Sequence, residues 1–313
     1  MLKQIITALA FCAMPTLTLA EEGWPRQIEH EGGMLTLASP PNRIISTSPS
    51  LTGTLLAIEA PLVASATAVQ GRLTDDTGFF RQWSKVAHAR DLGILYRDLT
   101  FDIESVILQD PDLIVVSAAG GDSVLPFVPE LEAMGFPVMV LNYGTNSWEA
   151  LAEQLGRATG RESEAAEVAA QFNDRASKAG AEIIHPEGTV SIVSYNFFGT
   201  YGVSKPDSAQ ARVLRGMGFE VTGVPSSLQA LVNRSREFDF VSHENLPAAI
   251  SGDTIFLLAA DEGDIETVMS DPVLANLPAV KAGRVYTLGL TSFRVDYYSG
   301  LAIIERVVEQ FGK

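Results

Sequence analysis

The segment "SWEALAEQLGRATGRESEAAEVAAQFNDRASKAGAEII" (residues 147–184) contains no proline and separates two similar halves of the chain. Apolar residues such as Ala165 and Phe172 recur in it at the spacing of one helix face. Gly160 predicts the end of a first helix, so a second, longer helix begins directly after it. The Gly/Ser/Pro cluster of a flexible hinge is absent from this segment. We therefore predict one stiff helical connector between two lobes, over residues 161–186.

On both sides of this connector, apolar runs alternate with helical patterns. "DLIVVSA" (112–118) is typical of a buried strand in the first half, and "TVSIVSYN" (189–196) and "DTIFLLAA" (253–260) are typical of one in the second. Strands that alternate with helices indicate parallel βα units. The sequence therefore predicts two α/β lobes, residues 21–160 and 187–313.

The first twenty residues belong to neither lobe. A cation at Lys3 precedes an apolar run, and small residues end the segment at Ala20. This pattern is typical of a secretory signal peptide that is cleaved after Ala20. Cys12 is the only cysteine of the chain, so the exported protein depends on its hydrophobic cores rather than on disulfides.

The charge balance restricts the possible partners. The chain has 22 Lys and Arg against 38 Asp and Glu, a net charge of −16. Such an acidic protein is not expected to bind nucleic acid or an anionic membrane surface. An anionic ligand would have to be met by a local basic site. We expect the protein to be a monomer.

Sequence motifs of catalysis are missing. The histidines, His30, His88, His185 and His243, are scattered without the spacing of paired metal ligands. No HExxH, GxSxG, Walker or GxGxxG motif occurs. We therefore predict a protein that is not an enzyme, without a cofactor or metal site of its own.

Two arginines stand out as candidates for a local basic site. Arg72 lies in a loop before "FFRQWSKVA" (79–87), whose cations and apolar residues fit a solvated amphipathic helix. Arg294 lies among aromatic residues in "TSFRVDYYSG" (291–300). A guanidinium attracts anions and stacks on aromatic faces. Both arginines can also be read as ordinary surface cations.

An internal similarity links the two lobes. "FDIESV" (101–106) and "VSHENL" (241–246) each place a Glu two residues after a helix-capping residue, and a buried strand follows. Glu104 and Glu244 therefore occupy equivalent positions. A Glu in a first helical turn also complements the helix dipole, which is the purely structural interpretation.

The chain resembles a known family through these segments. "PNRIISTSPSLTGTLLAIEAPLVASA", "DDTGFFRQWSKVA", "DLIVVSAAGGDS" and "TSFRVDYYSG" are similar, in the same order, to the ferric-enterobactin periplasmic binding proteins, which are substrate-binding components of ABC importers. The resemblance runs through nearly the whole mature chain. It implies a periplasmic protein with the bilobal class III fold, two α/β lobes joined by one long helix.

The resemblance also implies a ligand and a partner. The ligand would be a ferric catecholate siderophore that itself holds the iron, so the protein supplies no metal ligand. The partner would be an inner-membrane ABC permease, onto which Glu104 and Glu244 would dock. The expected ligand-binding residues are Arg72, Arg294, Phe198, Tyr201 and Tyr297.

The chain departs from its relatives at one position. Relatives have a tryptophan immediately before the segment that matches "KPDSAQ" (205–210), and this chain has Ser204 there. Phe197, Phe198 or Tyr201 could supply the missing aromatic surface from a different place. The siderophore itself therefore stays open. A carrier for haem, cobalamin or a hydroxamate siderophore, and an exported siderophore-processing hydrolase, are the alternatives.

Overall fold

The computed structural model describes residues 23–228, 230 and 232–313. The predicted signal peptide, residues 1–20, lies outside them. Within the described ranges, no helix is both long enough and apolar enough to cross a bilayer.

The first lobe is built on a parallel sheet, preceded by an antiparallel hairpin of β1 (Arg26–His30) and β2 (Gly33–Leu37). The strands of the parallel sheet are β3 (Ile44–Ser46), β4 (Leu62–Ser65), β5 (Gly93–Ile94), β6 (Leu113–Ser117) and β7 (Val138–Leu141), in the spatial order β5-β4-β3-β6-β7. The helices of this lobe are α1 (Pro49–Ala57), α2 (Arg81–Ala89), α3 (Ile103–Leu108), α4 (Val128–Ala133) and α5 (Trp148–Thr159). β6 and β7 are buried along their whole length, as helix-covered parallel strands are.

The connector, α6 (Glu162–Glu182), follows α5 after Gly160, which has a left-handed φ of 70°. The predicted end at residue 186 is too late, because Ile183 is extended and pairs with Gly312 in an isolated bridge. Pro186 then prevents helical continuation.

The second lobe has a mixed sheet. Its strands are β8 (Val190–Phe197), β9 (Thr200–Ser204), β10 (Val221–Thr222), β11 (Asn233–Arg234), β12 (Phe238–Val241), β13 (Thr254–Leu257) and β14 (Val285–Thr287), in the order β11-β12-β9-β8-β13-β14 with β10 also on β8. Its helices are α7 (Ala209–Gly216), α8 (Leu246–Ala249), α9 (Glu262–Ser270), α10 (Pro278–Lys281) and α11 (Tyr297–Phe311). β8, β13 and β14 are parallel, as the alternating pattern predicts.

The last helix, α11, connects the lobes a second time. It packs against α6 and α7, and also against α1 and α2 of the first lobe. Gly53 of α1 permits this approach, because a Cβ there would lie 2.3 Å from Asp296 Oδ2 at the cap of α11. One continuous core includes Leu51 of the first lobe, Phe172 of the connector and Phe256 of the second lobe. The two lobes are therefore joined through packed side chains as well as through a single helix.

Candidate functional site

A cavity lies between the two lobes. Its volume is about 680 Å³, which lies in the usual range for small-molecule sites. The first lobe contributes the chain that follows β4, and the second lobe contributes the chain that follows β8 and β13. The cavity therefore lies at the carboxyl ends of strands from both sheets, where open α/β sheets bind ligands.

Arg72 lines this cavity from the first lobe, in a loop that is held in place by hydrogen bonds. The Gly71 amide donates to Thr74 Oγ1 over 2.8 Å, and Arg81 Nε donates to the Arg72 carbonyl over 2.9 Å. Gly78, with a φ of 90°, leaves space for the Ala68 carbonyl, which would lie 2.6 Å from a Cβ at residue 78. The loop thus presents Arg72 from a fixed backbone.

The side chain of Arg72 crosses the cavity to the opposite lobe. Its Nη2 atom donates to Asp261 Oδ2 over 2.8 Å and to Asp264 Oδ2 over 2.7 Å. The hydrogen bond that Arg72 donates to Asp264 is the main reason why the pKa of Arg72 is raised. The sequence pattern contained no sign of these acidic partners, which are 189 and 192 positions away in the chain.

The wall contributed by the second lobe is aromatic. Tyr195, Phe197 and Phe198 at the end of β8 line the cavity. Phe198 is 85% exposed and has a φ of 49°, so its ring projects from a tight turn into the cleft. The structure therefore places Phe197 and Phe198, both candidates for the aromatic surface, in the cavity together with Tyr195, which was not predicted. Tyr195 and Phe197 are among the last three residues of β8, and Phe198 directly follows that strand.

Arg294 lies in a smaller space of about 40 Å³ beside the main cavity. Phe80 lines both spaces, and the ring of Phe293, next to Arg294, is 4.5 Å from that of Phe197. The Arg294 guanidinium lies 4.4 Å from the ring centre of Tyr143 in the first lobe. The two arginines thus come from opposite lobes, as predicted, and each contacts the other lobe, but they line separate spaces.

Tyr143, which the sequence analysis did not single out, holds Arg294 by its ring. Its hydroxyl donates to Asp122 Oδ1 over 2.7 Å, and Asp122 Oδ2 accepts from the Ser48 hydroxyl over 2.5 Å. Burial and the neighbouring Asp122 raise the pKa of Tyr143 to about 12, so its hydroxyl stays protonated at neutral pH. Tyr143 lies two residues after the end of β7, and no motif marks it in the sequence.

The two other predicted aromatic residues lie elsewhere. Tyr201 packs against Tyr195 and stacks on His243, with ring centres 4.8 Å apart. Tyr297 packs against Trp148 and Phe172 at the junction of α5, α6 and α11. Neither tyrosine is among the described residues that line the main cavity or the smaller space beside Arg294. Both rings serve packing within the fold, because β9 and α11 turn them toward their neighbours.

Glu104 and Glu244 are exposed, one on each lobe. Asp102 caps α3 by accepting from the Glu104 amide over 3.1 Å, and Ser242 occupies the equivalent capping position before Glu244. A hydrogen bond from Ser242 lowers the pKa of Glu244 and keeps it ionised. Glu104 lies in the first turn of α3, and Glu244 lies in the short 3-10 turn that precedes α8.

Within the described ranges, no three His, Cys, Asp or Glu side chains are grouped so that they could hold a metal ion. The histidines make separate contacts. For example, His88 is 2.7 Å from Asp75 Oδ2, and His243 is 2.6 Å from Asp271 Oδ2.

Two α/β lobes, a helical connector and a cleft at the strand ends define a bilobal ligand-binding protein. The family model described as "Periplasmic binding protein" matches residues 44–290, and the chain belongs to this family. The predicted class III architecture is thereby confirmed.

Individual relatives agree with this assignment. The chain is 40% identical, over 98% of its length and 96% of the relative's, to the ferric enterobactin-binding periplasmic protein FepB of Escherichia coli O6:H1 (strain CFT073). It is 35% identical to the solved structure of holo-ViuP, with a TM-score of 0.83 over 93% of this chain and 96% of the other. Staphylococcus aureus SirA shares the fold, with a TM-score of 0.69 at 16% identity over 91% of this chain and 98% of the other.

Proposed function

We propose that the protein is a non-enzymatic periplasmic carrier that captures a ferric catecholate siderophore of the enterobactin type and delivers it to an inner-membrane ABC permease. The observation that carries this proposal is the interlobe cavity, with its aromatic wall and Arg72. The identity to a ferric enterobactin-binding relative supports the choice of ligand.

The chemistry of the cavity suits such a ligand. Three dianionic catecholates around Fe(III) form a trianion with aromatic faces. Phe198 offers a ring to a catechol face, and the guanidinium groups of Arg72 and Arg294 offer charge and flat stacking surfaces. Because the siderophore surrounds the iron, the carrier needs no metal ligand or cofactor of its own.

Titration of the mature protein with ferric enterobactin tests this function. We expect saturable quenching of Trp and Tyr fluorescence with a Kd below about 1 μM. The absence of saturable quenching with any ferric catecholate would refute the proposal. Saturable binding of haem or of a neutral ferric hydroxamate instead would support the alternative carriers.

Replacing the two arginines locates the site. Arg72→Ala combined with Arg294→Ala should weaken binding at least about tenfold, because each charge-assisted contact contributes on the order of 1.5–3 kcal/mol. The matched control is Arg175→Ala with Arg284→Ala, which removes the same charge from arginines outside the cavity. Unchanged affinity in the first variant would place the ligand elsewhere.

The exposed glutamates are proposed to dock the carrier onto arginines of the permease. Glu104→Ala with Glu244→Ala should leave siderophore binding intact and abolish siderophore-dependent uptake by cells. Glu29→Ala with Glu220→Ala, at two other exposed glutamates, is the control and should retain uptake. Normal uptake by the first variant would exclude the docking role.

A further inference from the structure

Arg72 forms salt bridges with two carboxylates at once, and this pairing affects which ligands the cleft can bind. One guanidinium nitrogen contacts two carboxylates, those of Asp261 and Asp264, at 2.8 and 2.7 Å. Arg72 belongs to the first lobe; in the second lobe, Asp261 caps α9 and Asp264 lies in the first turn of that helix. The group therefore spans the cleft with one positive and two negative charges.

The two acids are fixed in position by the helix they begin. Asp261 Oδ1 accepts from the Gly263 amide over 2.9 Å, and Asp264 Oδ2 accepts from the Asp261 amide over 2.8 Å in a reciprocal capping box. Burial tends to raise the pKa of Asp264, but the hydrogen bonds from Arg72 and the Asp261 amide bring it below its ordinary value. Asp264 is therefore ionised at neutral pH.

Stability alone does not account for this arrangement. The Arg72 side chain is 57% exposed, and exposed ion pairs contribute little to folding. An incoming anion can therefore take over Arg72 with little loss of stability. The two carboxylates cannot move away with the Arg72 side chain, because their capping hydrogen bonds hold them at the start of α9. They therefore remain beside the bound anion.

We propose that Asp261 and Asp264 are specificity-determining residues that select the ligand by its charge. Each additional negative charge on the ligand is attracted by Arg72 but repelled by the Asp264 carboxylate in the cavity wall and by the Asp261 carboxylate, which contacts Arg72. Arg72 and Asp264 are the charged residues among those described as lining the main cavity. The other lining residues are uncharged and do not offset this repulsion. Among catecholate complexes of one shape, the acids thus disfavour the more negatively charged one. This inference rests on the proposed function.

The test uses two complexes of the same siderophore. Ferric enterobactin is a trianion, and replacement of Fe(III) by Ti(IV) gives a dianion with the same three catecholates. The variant Asp261→Asn with Asp264→Asn removes both charges but keeps an acceptor oxygen at each position, and Asn is a good helix cap. Its thermal unfolding and circular dichroism verify that it is folded.

The matched control is Glu262→Gln with Glu266→Gln. These residues share another face of α9, and Glu262 pairs with Arg306 rather than with Arg72. The control removes the same net charge from the same helix. It separates a local effect of the two aspartates from the effect of total charge.

We expect the Asn variant to bind the trianion about tenfold more tightly and the dianion about fivefold more tightly than the unmodified protein, since the repulsion scales with ligand charge. The control variant should stay within about twofold for both, because its charges are further away and screened. Equal gains for the two complexes, or no gain, would overturn the charge selection. Failure of the unmodified protein to bind either complex would instead overturn the proposed function.

Discussion

Gly180 of the connector offers a sharp test of how the lobes are joined. It is buried on α6, and a Cβ at this position would lie 2.1 Å from the Met217 carbonyl oxygen and 2.7 Å from its carbon. Both atoms belong to the backbone that follows α7. The substitution Gly180→Ala therefore forces α6 and the end of α7 apart by about 1 Å, since a van der Waals contact needs more than 3 Å.

The expected change in stability combines two opposing terms. Alanine favours an interior helical position by about 1 kcal/mol over glycine. Overpacking costs about 1–3 kcal/mol, and the upper value applies because a backbone cannot rotate away as a side chain can. The net result is a loss of about 2 kcal/mol in the free energy of unfolding.

Gly216→Ala is the matched control at the same interface. A Cβ at this position would meet the Ala176 Cβ at 3.4 Å, an ordinary contact, so the variant should be as stable as the unmodified protein or more stable by up to about 1 kcal/mol. Urea unfolding followed by circular dichroism measures both variants. The reasoning is refuted if Gly180→Ala matches the unmodified protein, or if both variants lose stability equally.

Two further predictions concern the site and its support. Phe198→Ala should weaken siderophore binding about three- to tenfold through loss of stacking, with the free energy of unfolding unchanged. The control Ile184→Ala, at another exposed residue, should change neither the affinity nor the free energy of unfolding. If the Phe198 variant binds the siderophore as tightly as the unmodified protein, this ring does not belong to the site. Burial raises the pKa of Asp296 above its ordinary value of 3.8. As pH rises above 3.8, the unfolded state therefore loses a proton that the folded state retains. The stability contributed by Asp296 falls in that range. Asp296→Asn should therefore gain stability relative to the unmodified protein between pH 4 and pH 7 in urea unfolding, and a pH-independent difference would contradict this.

The fold followed from the sequence more completely than the site did. The apolar runs predicted the central strands, and the proline-free segment predicted α6, because burial and helix periodicity are local properties. The position of α11 across both lobes was not predictable, since it depends on Gly53 and Asp296 meeting over more than two hundred residues. For the same reason, the sequence indicated Arg72 but not its acidic partners.

The aromatic residues show the same limit. Phe198 follows the end of a strand, where side chains project into a cleft, whereas Tyr201 and Tyr297 lie within a strand and a helix whose orientations are set by their neighbours. Composition and motif position do not decide which face of such an element points to the ligand. Tyr143 was missed because its role depends on an arginine of the other lobe.

The shared core through α6 and α11 also has a consequence for transport kinetics. We expect these packed helices to keep the separation of Glu104 and Glu244 nearly constant, so that a filled cleft and an empty one present nearly the same pair of charges. On the proposed docking, loaded and empty carriers then compete for the same permease. The rate of import would follow the loaded fraction of the carrier pool, and overproduction of the protein at fixed siderophore supply would slow uptake.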